Sequence, residues 1–156
     1  MMAPDETPGP FRHILIADDG SEEAWRAVEM GTDLAQRYGA RATVLTAIHH
    51  PAYPATVGEV QEADAEQREF AAGVQRKAVA YAAARGVELH AVVPSGHPVE
   101  AIVDYARAHG ADLIVMGHRG MSNLQRFFGG SVSDRVVDHA PCDVLIVRRR
   151  RGGRRP

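Results

Sequence analysis

Gly117 and Gly120 enclose His118 and Arg119, nine residues follow, and Gly130-Ser131 then open a short amphipathic stretch. Residues of these types at this spacing suit the binding of a phosphate by main-chain amides. Glycine has no Cβ and tolerates positive φ, so a glycine loop folds its N–H groups toward an anion at little steric cost. A helix starting near Ser131 would add unpaired amides and the positive end of its dipole. A second polar group, Asp18-Asp19-Gly20-Ser21, directly follows an apolar run. Two plainer readings stand beside these. Asp-Gly is a favoured turn dipeptide, and Ser131 with Asp134 fits an S-x-x-D capping box that needs no ligand.

The elements around these residues decide where they meet. Residues 13–17 (HILIA), 42–48 (ATVLTAI), 113–116 (LIVM) and 143–148 (DVLIVR) read as strands, and the continuous apolar runs place them inside a sheet covered on both faces. Residues 87–93 (VELHAVV) alternate, which suits a strand nearer the edge with Glu88 and His90 turned outward. Between the strands lie helical patterns. One starts at Glu22 and Glu23, carries the stripe Ala24, Val28, Gly31, Ala35 and Tyr38, and stops at Gly39. A long one covers 59–85, a third starts at Pro98 and buries Val99, Ile102, Val103 and Ala106, and a short last one ends before Pro141.

Alternating strands and helices predict an α/β fold: an open parallel five-stranded sheet with helices on both faces, order 3-2-1-4-5, Rossmann-like. That order puts the turn at Asp18-Asp19-Gly20 and the loop from Gly117 to Ser131 at the switch point, where ligands of open α/β sheets bind.

The chain has 156 residues, 45% apolar and 24% charged, enough for one core. We expect a disordered leader over 1–11, a single domain over 12–148 and a flexible basic tail over 149–156. Cys142 stands alone, so no internal disulfide forms, and it reads as an inert packed thiol. No apolar run approaches a bilayer span and the first residues lack a signal-peptide pattern, so a cytoplasmic protein is expected. With net charge −2 and six arginines in the last nine residues, the first 147 residues carry −8. The tail has no aromatic residue and reads as a solvated end rather than a nucleic-acid reader. His49 and His50 are adjacent and unaccompanied by a cysteine pair, which argues for a solvated loop rather than a metal site. Leu124, Phe127 and Phe128 lie inside the glycine loop, as a small satellite core or a lid.

Gly117-His118-Arg119-Gly120, nine residues and Gly130-Ser131, together with the ILIADDGSEEA opening, the GADLIVMG strand and the HAPCDVLIV ending, resemble the universal stress protein family. They resemble in particular its ATP-binding branch, over about residues 12–148. The resemblance implies a nucleoside contact at Asp19, with Ala17 and Asp18 on the same wall and Ala47 presenting its backbone to adenine. Met116 and Gly117 would flank the ribose, and Arg119, Gly120, Gly130, Ser131, Val132 and Ser133 would surround the phosphates. Asp18 departs from the apolar or hydroxyl residue often found there. It also implies ATP as cofactor, with Mg²⁺ or Mn²⁺ as its companion, and a homodimer paired through the last strand, Val144 through Val147.

No catalytic set emerges, because His118, Arg119 and the two aspartates stand without a P-loop lysine. The sequence therefore supports a regulatory ATP-binding module with at most slow hydrolysis. The alternative is a nucleotide-independent dimer that docks to partner proteins under stress; an ATP-dependent metabolic enzyme is disfavoured, since no further domain is left for a second substrate.

Overall fold

The computed structural model describes residues 9–49, 56–118 and 132–149. Among these residues five strands, β1 (His13–Ala17), β2 (Arg41–Leu45), β3 (Leu89–Val92), β4 (Leu113–Gly117) and β5 (Asp143–Val147), alternate with four helices. The helices are α1 (Glu22–Tyr38), α2 (Val57–Ala83), α3 (Pro98–His109) and α4 (Val132–His139). The sheet is wholly parallel in the order β3-β2-β1-β4-β5, as the alternation of strand and helix patterns predicts.

Strand geometry explains the unbroken apolar runs. Successive side chains point to opposite faces, so Ile14 and Ile16 join Val28 and Ala35 of α1 and Ala78 and Ala82 of α2 in one core. Leu15 points the other way and packs with Ile102 and Val103 of α3 and Val136 of α4. The residues of the inner strand β1 therefore meet helices on both faces. On the edge strand β3 one side is uncovered, and His90 and the preceding Glu88 are exposed there as expected.

Two helices show how their ends were set. Gly39 and Gly110 close α1 and α3 in the left-handed region, at φ 62° and 65°. The close approach of α1 to β1 depends on Gly31, where a Cβ would stand 2.5 Å from the Ile16 side chain.

Several boundaries differ from the expectation. Strand β2 ends at Leu45 rather than at 48, because Asp18 turns out of β1 and its N–H takes the Leu45 carbonyl at 2.9 Å. Residues 46–48 then have no β1 partner and lean toward the end of β3, Thr46 bonding Val92 and Ile48 bridging Ser95. Helix α2 starts two residues earlier than expected, at a capping box in which Thr56 and Glu59 satisfy each other's amides, and it ends at Ala83 rather than 85. Strand β3 begins at Leu89 rather than 87, and β5 ends at Val147 rather than 148. Tyr38, expected on the buried stripe of α1, is 41% exposed. It lies in the last turn and packs edge-on against Phe11, ring centroids 5.7 Å apart. Phe11, at the end of the expected leader, thereby rests on the core.

Candidate functional site

The turn leaving β1 is built by its own side chains. Asp18 Oδ1 accepts the Gly20 amide at 3.0 Å, Asp19 Oδ1 accepts the Ser21 amide at 2.9 Å, and Ser21 Oγ caps α1 by accepting from Ala24 at 3.1 Å. Gly20 takes φ 86°, a conformation that favours glycine. Asp19 thus performs turn chemistry, and it also lines the opening beside β1.

That opening exists because neighbours diverge. Chain direction at β1 turns into α1 while residues 46–48 follow β3, and the space between them is a cavity of about 410 Å³. Ala17 lines it from β1, Asp18 and Asp19 from the turn that follows, Ala47 from the segment beyond β2, Met116 and Gly117 from β4, and Val132 and Ser133 from the first turn of α4. Every candidate residue in the described part of the chain is therefore brought together. Arg119, Gly120, Gly130 and Ser131 lie outside the described residues, as do His50, Leu124, Phe127, Phe128 and the tail from residue 150.

The sequence reading missed one wall. Gln67, Phe70 and Ala71 of α2 line the cavity, with Pro98 and Ile102 of α3 and with Thr46, Ile48 and His49. Positions 67, 70 and 71 share one helical face, so the spacing was legible, but the direction of that face was not. Gln67 Oε1 accepts the His49 amide at 2.8 Å and pins α2 to the chain beyond β2. The lining is largely apolar, with polar groups at the β1 turn, at Thr46, His49 and Gln67, and at Ser133 at the start of α4.

Glycine at 117 has a packing reason that the motif does not reveal. A Cβ there would stand 2.9 Å from the backbone carbon of Glu23 and 3.1 Å from the Ala24 nitrogen. Ser133 is buried and its hydroxyl donates to the His118 carbonyl at 3.0 Å, while the His118 amide donates to Val147. These bonds tie the end of β4 to α4 and β5.

Burial pushes the Asp18 carboxyl up to about 6, opposed by the Gly20 amide and aided by the charge of Asp19. His97, whose Nδ1 caps α3 by accepting from Val99, is held below its ordinary value by burial and then by Arg135 and His49. Its ring stands edge-on to His49 at 6.0 Å. Among the described residues no group of three or more His, Cys, Asp or Glu could hold a metal ion. The Cys142 thiol is half-buried and raised by burial and then by Asp143, away from thiolate reactivity. No helix among the described residues is long and apolar enough to cross a membrane.

The model of the family described as the universal stress protein family matches residues 10–148. The chain belongs to the universal stress protein family. A universal stress protein of Thermus aquaticus, described by its place in the QAH/OAS sulfhydrylase 3′ region, is 39% identical over 138 residues, covering 88% of this chain and 99% of that protein. Among solved structures, universal stress protein UspA from Lactobacillus plantarum aligns with a TM-score of 0.79 at 31% identity, over 88% of this chain and 97% of that one. A universal stress protein in complex with cAMP aligns with a TM-score of 0.70 at 27% identity, again over 88% and 97%.

Proposed function

We propose that this universal stress protein binds ATP and serves as a regulatory nucleotide-binding module of the stress response, with at most slow hydrolysis. The observation that carries this reading is the cleft at the switch point, on which Asp19, Ala47, Met116, Gly117, Val132 and Ser133 converge. Its volume of about 410 Å³ falls within the usual range for small-molecule sites. The apolar lining from Ala47, Ile48 and Met116 suits a flat base. The start of α4 offers the dipole end that favours phosphate. The solved relative in complex with cAMP supports an adenine nucleotide as the ligand class.

Arg119, Gly120, Gly130 and Ser131 complete the proposed phosphate site. A Mg²⁺ or Mn²⁺ companion would take most of its ligands from the phosphates and water, because among the described residues Asp18 and Asp19 are the only carboxylates lining the cleft. We place the protein in the cytoplasm. Titration calorimetry with ATP tests the reading directly: a Gly130→Val variant should lose at least roughly tenfold in affinity if backbone amides grip the phosphates. Equal affinity in the two proteins would remove the glycine motif from the account.

A second reading rests on β5, which among the described residues pairs only with β4 and stands at the edge of the sheet. Val144, Leu145 and Ile146 are half-buried along it, a surface suited to pairing with a second copy across a two-fold axis. Under that reading the dimer acts by docking to partner proteins and needs no nucleotide. Denaturing the washed protein and identifying released small molecules by mass spectrometry separates the two, since only the first releases adenine nucleotide.

A further inference from the structure

Asp18 is a buried acid with half of its carboxylate unused. The residue is 3% exposed, its N–H is spent on Leu45 and its Oδ1 on the Gly20 amide. Oδ2 is buried and has no hydrogen-bond partner among the described residues. Leaving a buried carboxylate oxygen without a donor is costly, so such an atom calls for an explanation. Asp18 lines the cleft with Ala17 and Thr46, whose own hydroxyl is buried with no partner among the described residues, and it also borders a neighbouring cavity lined by α1 and α2.

We infer that Asp18 Oδ2 accepts a hydrogen bond from the bound ligand, so that this carboxylate selects nucleotides by the N–H or O–H groups they present. The inference rests on the reading of the cleft as a nucleotide site. An ionised carboxylate accepts and never donates, and it repels phosphate oxygens. Asp18 therefore belongs to the nucleoside end of the ligand, with the phosphates displaced toward the start of α4. Two ligand groups share the required chemistry, the exocyclic amine of adenine and a ribose hydroxyl. A cation is the weaker occupant, since no group of three or more metal-binding side chains exists among the described residues.

Asp18→Asn isolates the free oxygen. The amide oxygen still takes the Gly20 amide and keeps the turn, while its nitrogen puts a donor where Oδ2 was. The affinities of ATP, ITP, 2′-deoxy-ATP and 3′-deoxy-ATP are measured for the full chain freed of nucleotide and for the variant, with and without Mg²⁺. Removing the one donor that Oδ2 reads should cost the wild type roughly tenfold or more and the variant less than about threefold. A selective loss with ITP assigns the amine, and a loss with either deoxy analogue assigns the corresponding hydroxyl.

Wild-type protein that binds all four nucleotides within about threefold overturns the inference without any variant. The same selective loss in Asp18→Asn overturns it too, as does an effect of the substitution seen only with Mg²⁺, which would assign the oxygen to a cation. If the wild type binds none of the four, the nucleotide reading of the cleft falls, and that result is distinct from the others.

Discussion

A Cβ on Gly117 would meet the backbone carbon of Glu23 at 2.9 Å, so the end of β4 and the first turn of α1 touch main chain to main chain. Gly117 has no positive φ, which makes the constraint steric rather than conformational. Gly117→Ala is therefore expected to destabilise the ligand-free protein by about 1–3 kcal/mol, because backbone must move to make room. Gly73, in the middle of α2, supplies the contrast: its Cβ would meet only the end of Arg76 at 3.6 Å. Gly73→Ala should stabilise by about 0.5–1 kcal/mol through helix propensity. Urea denaturation of both variants without nucleotide checks this, and an unchanged Gly117→Ala midpoint would refute the close approach.

Asp18 gives the protein an unusual pH response. Its carboxyl is raised from 3.8 to about 6 on folding, so the folded state holds the proton more tightly than the unfolded chain. Stability from this group is therefore lost as pH rises from about 4 through 6, by about 3 kcal/mol at the full shift. Asparagine cannot titrate. The stability of Asp18→Asn relative to wild type should thus increase by up to about that amount between pH 4 and pH 8, whatever its offset at any one pH. Parallel profiles for the two ligand-free proteins would show that Asp18 is not held in a desolvated place.

These two positions show what the sequence made legible. The turn at Asp18 and the glycine after β4 could be placed at one sheet edge because topology follows from the order of apolar runs. Their detailed work could not, since the contact of Gly117 with Glu23 and the solitary Oδ2 of Asp18 depend on how α1 sits on the sheet. Helix α3 was readable to the residue, with Pro98 first, four buried apolar positions and Gly110 as the cap that ends it. Helix α2 was not, because its first three turns are largely exposed and carry little periodic signal. Its Thr56–Glu59 capping box was written plainly in the sequence and went unread. The continuous ATVLTAI pattern likewise hid the end of the β2 ladder at Leu45, which is what opens the cleft.

His13 titrates in the opposite sense to Asp18. It is buried at the start of β1, with Nε2 2.9 Å from Thr43 Oγ1 and Nδ1 3.2 Å from the His109 carbonyl. Burial lowers its pKa below 6.5, assisted by Arg41 and His109 and opposed by the bond to the His109 carbonyl and by Asp112. The folded state then holds fewer protons than the unfolded chain, and stability is lost as pH falls below about 6.5. His13→Gln keeps a polar group near Thr43 without titrating there. The stability of wild type relative to this variant should rise between pH 5 and pH 7.5, and a pH-independent difference would contradict a buried neutral imidazole.

Gln75 is the polar group that fastens α2 to the sheet. It is buried, and its Nε2 donates to the Val92 carbonyl at 2.7 Å and lies 3.5 Å from the Val44 carbonyl. Val92 also accepts from Thr46, so Gln75→Leu leaves that carbonyl one partner and should cost only about 1 kcal/mol. Gln75→Glu keeps the shape but turns a donor into a carboxylate facing carbonyl oxygens. At pH 8 it should cost about 3–5 kcal/mol, as an uncompensated buried charge does. Acidification restores a donor: once the new carboxyl is protonated it bonds Val92 again, so the variant should recover most of its loss by pH 5. Thermal melts at the two pH values, with Gln75→Leu as reference, read this out. A Gln75→Glu protein as stable as Gln75→Leu at pH 8 would mean that α2 stands off from β2 and β3, and the wall that Gln67, Phe70 and Ala71 give to the cleft would be lost with it.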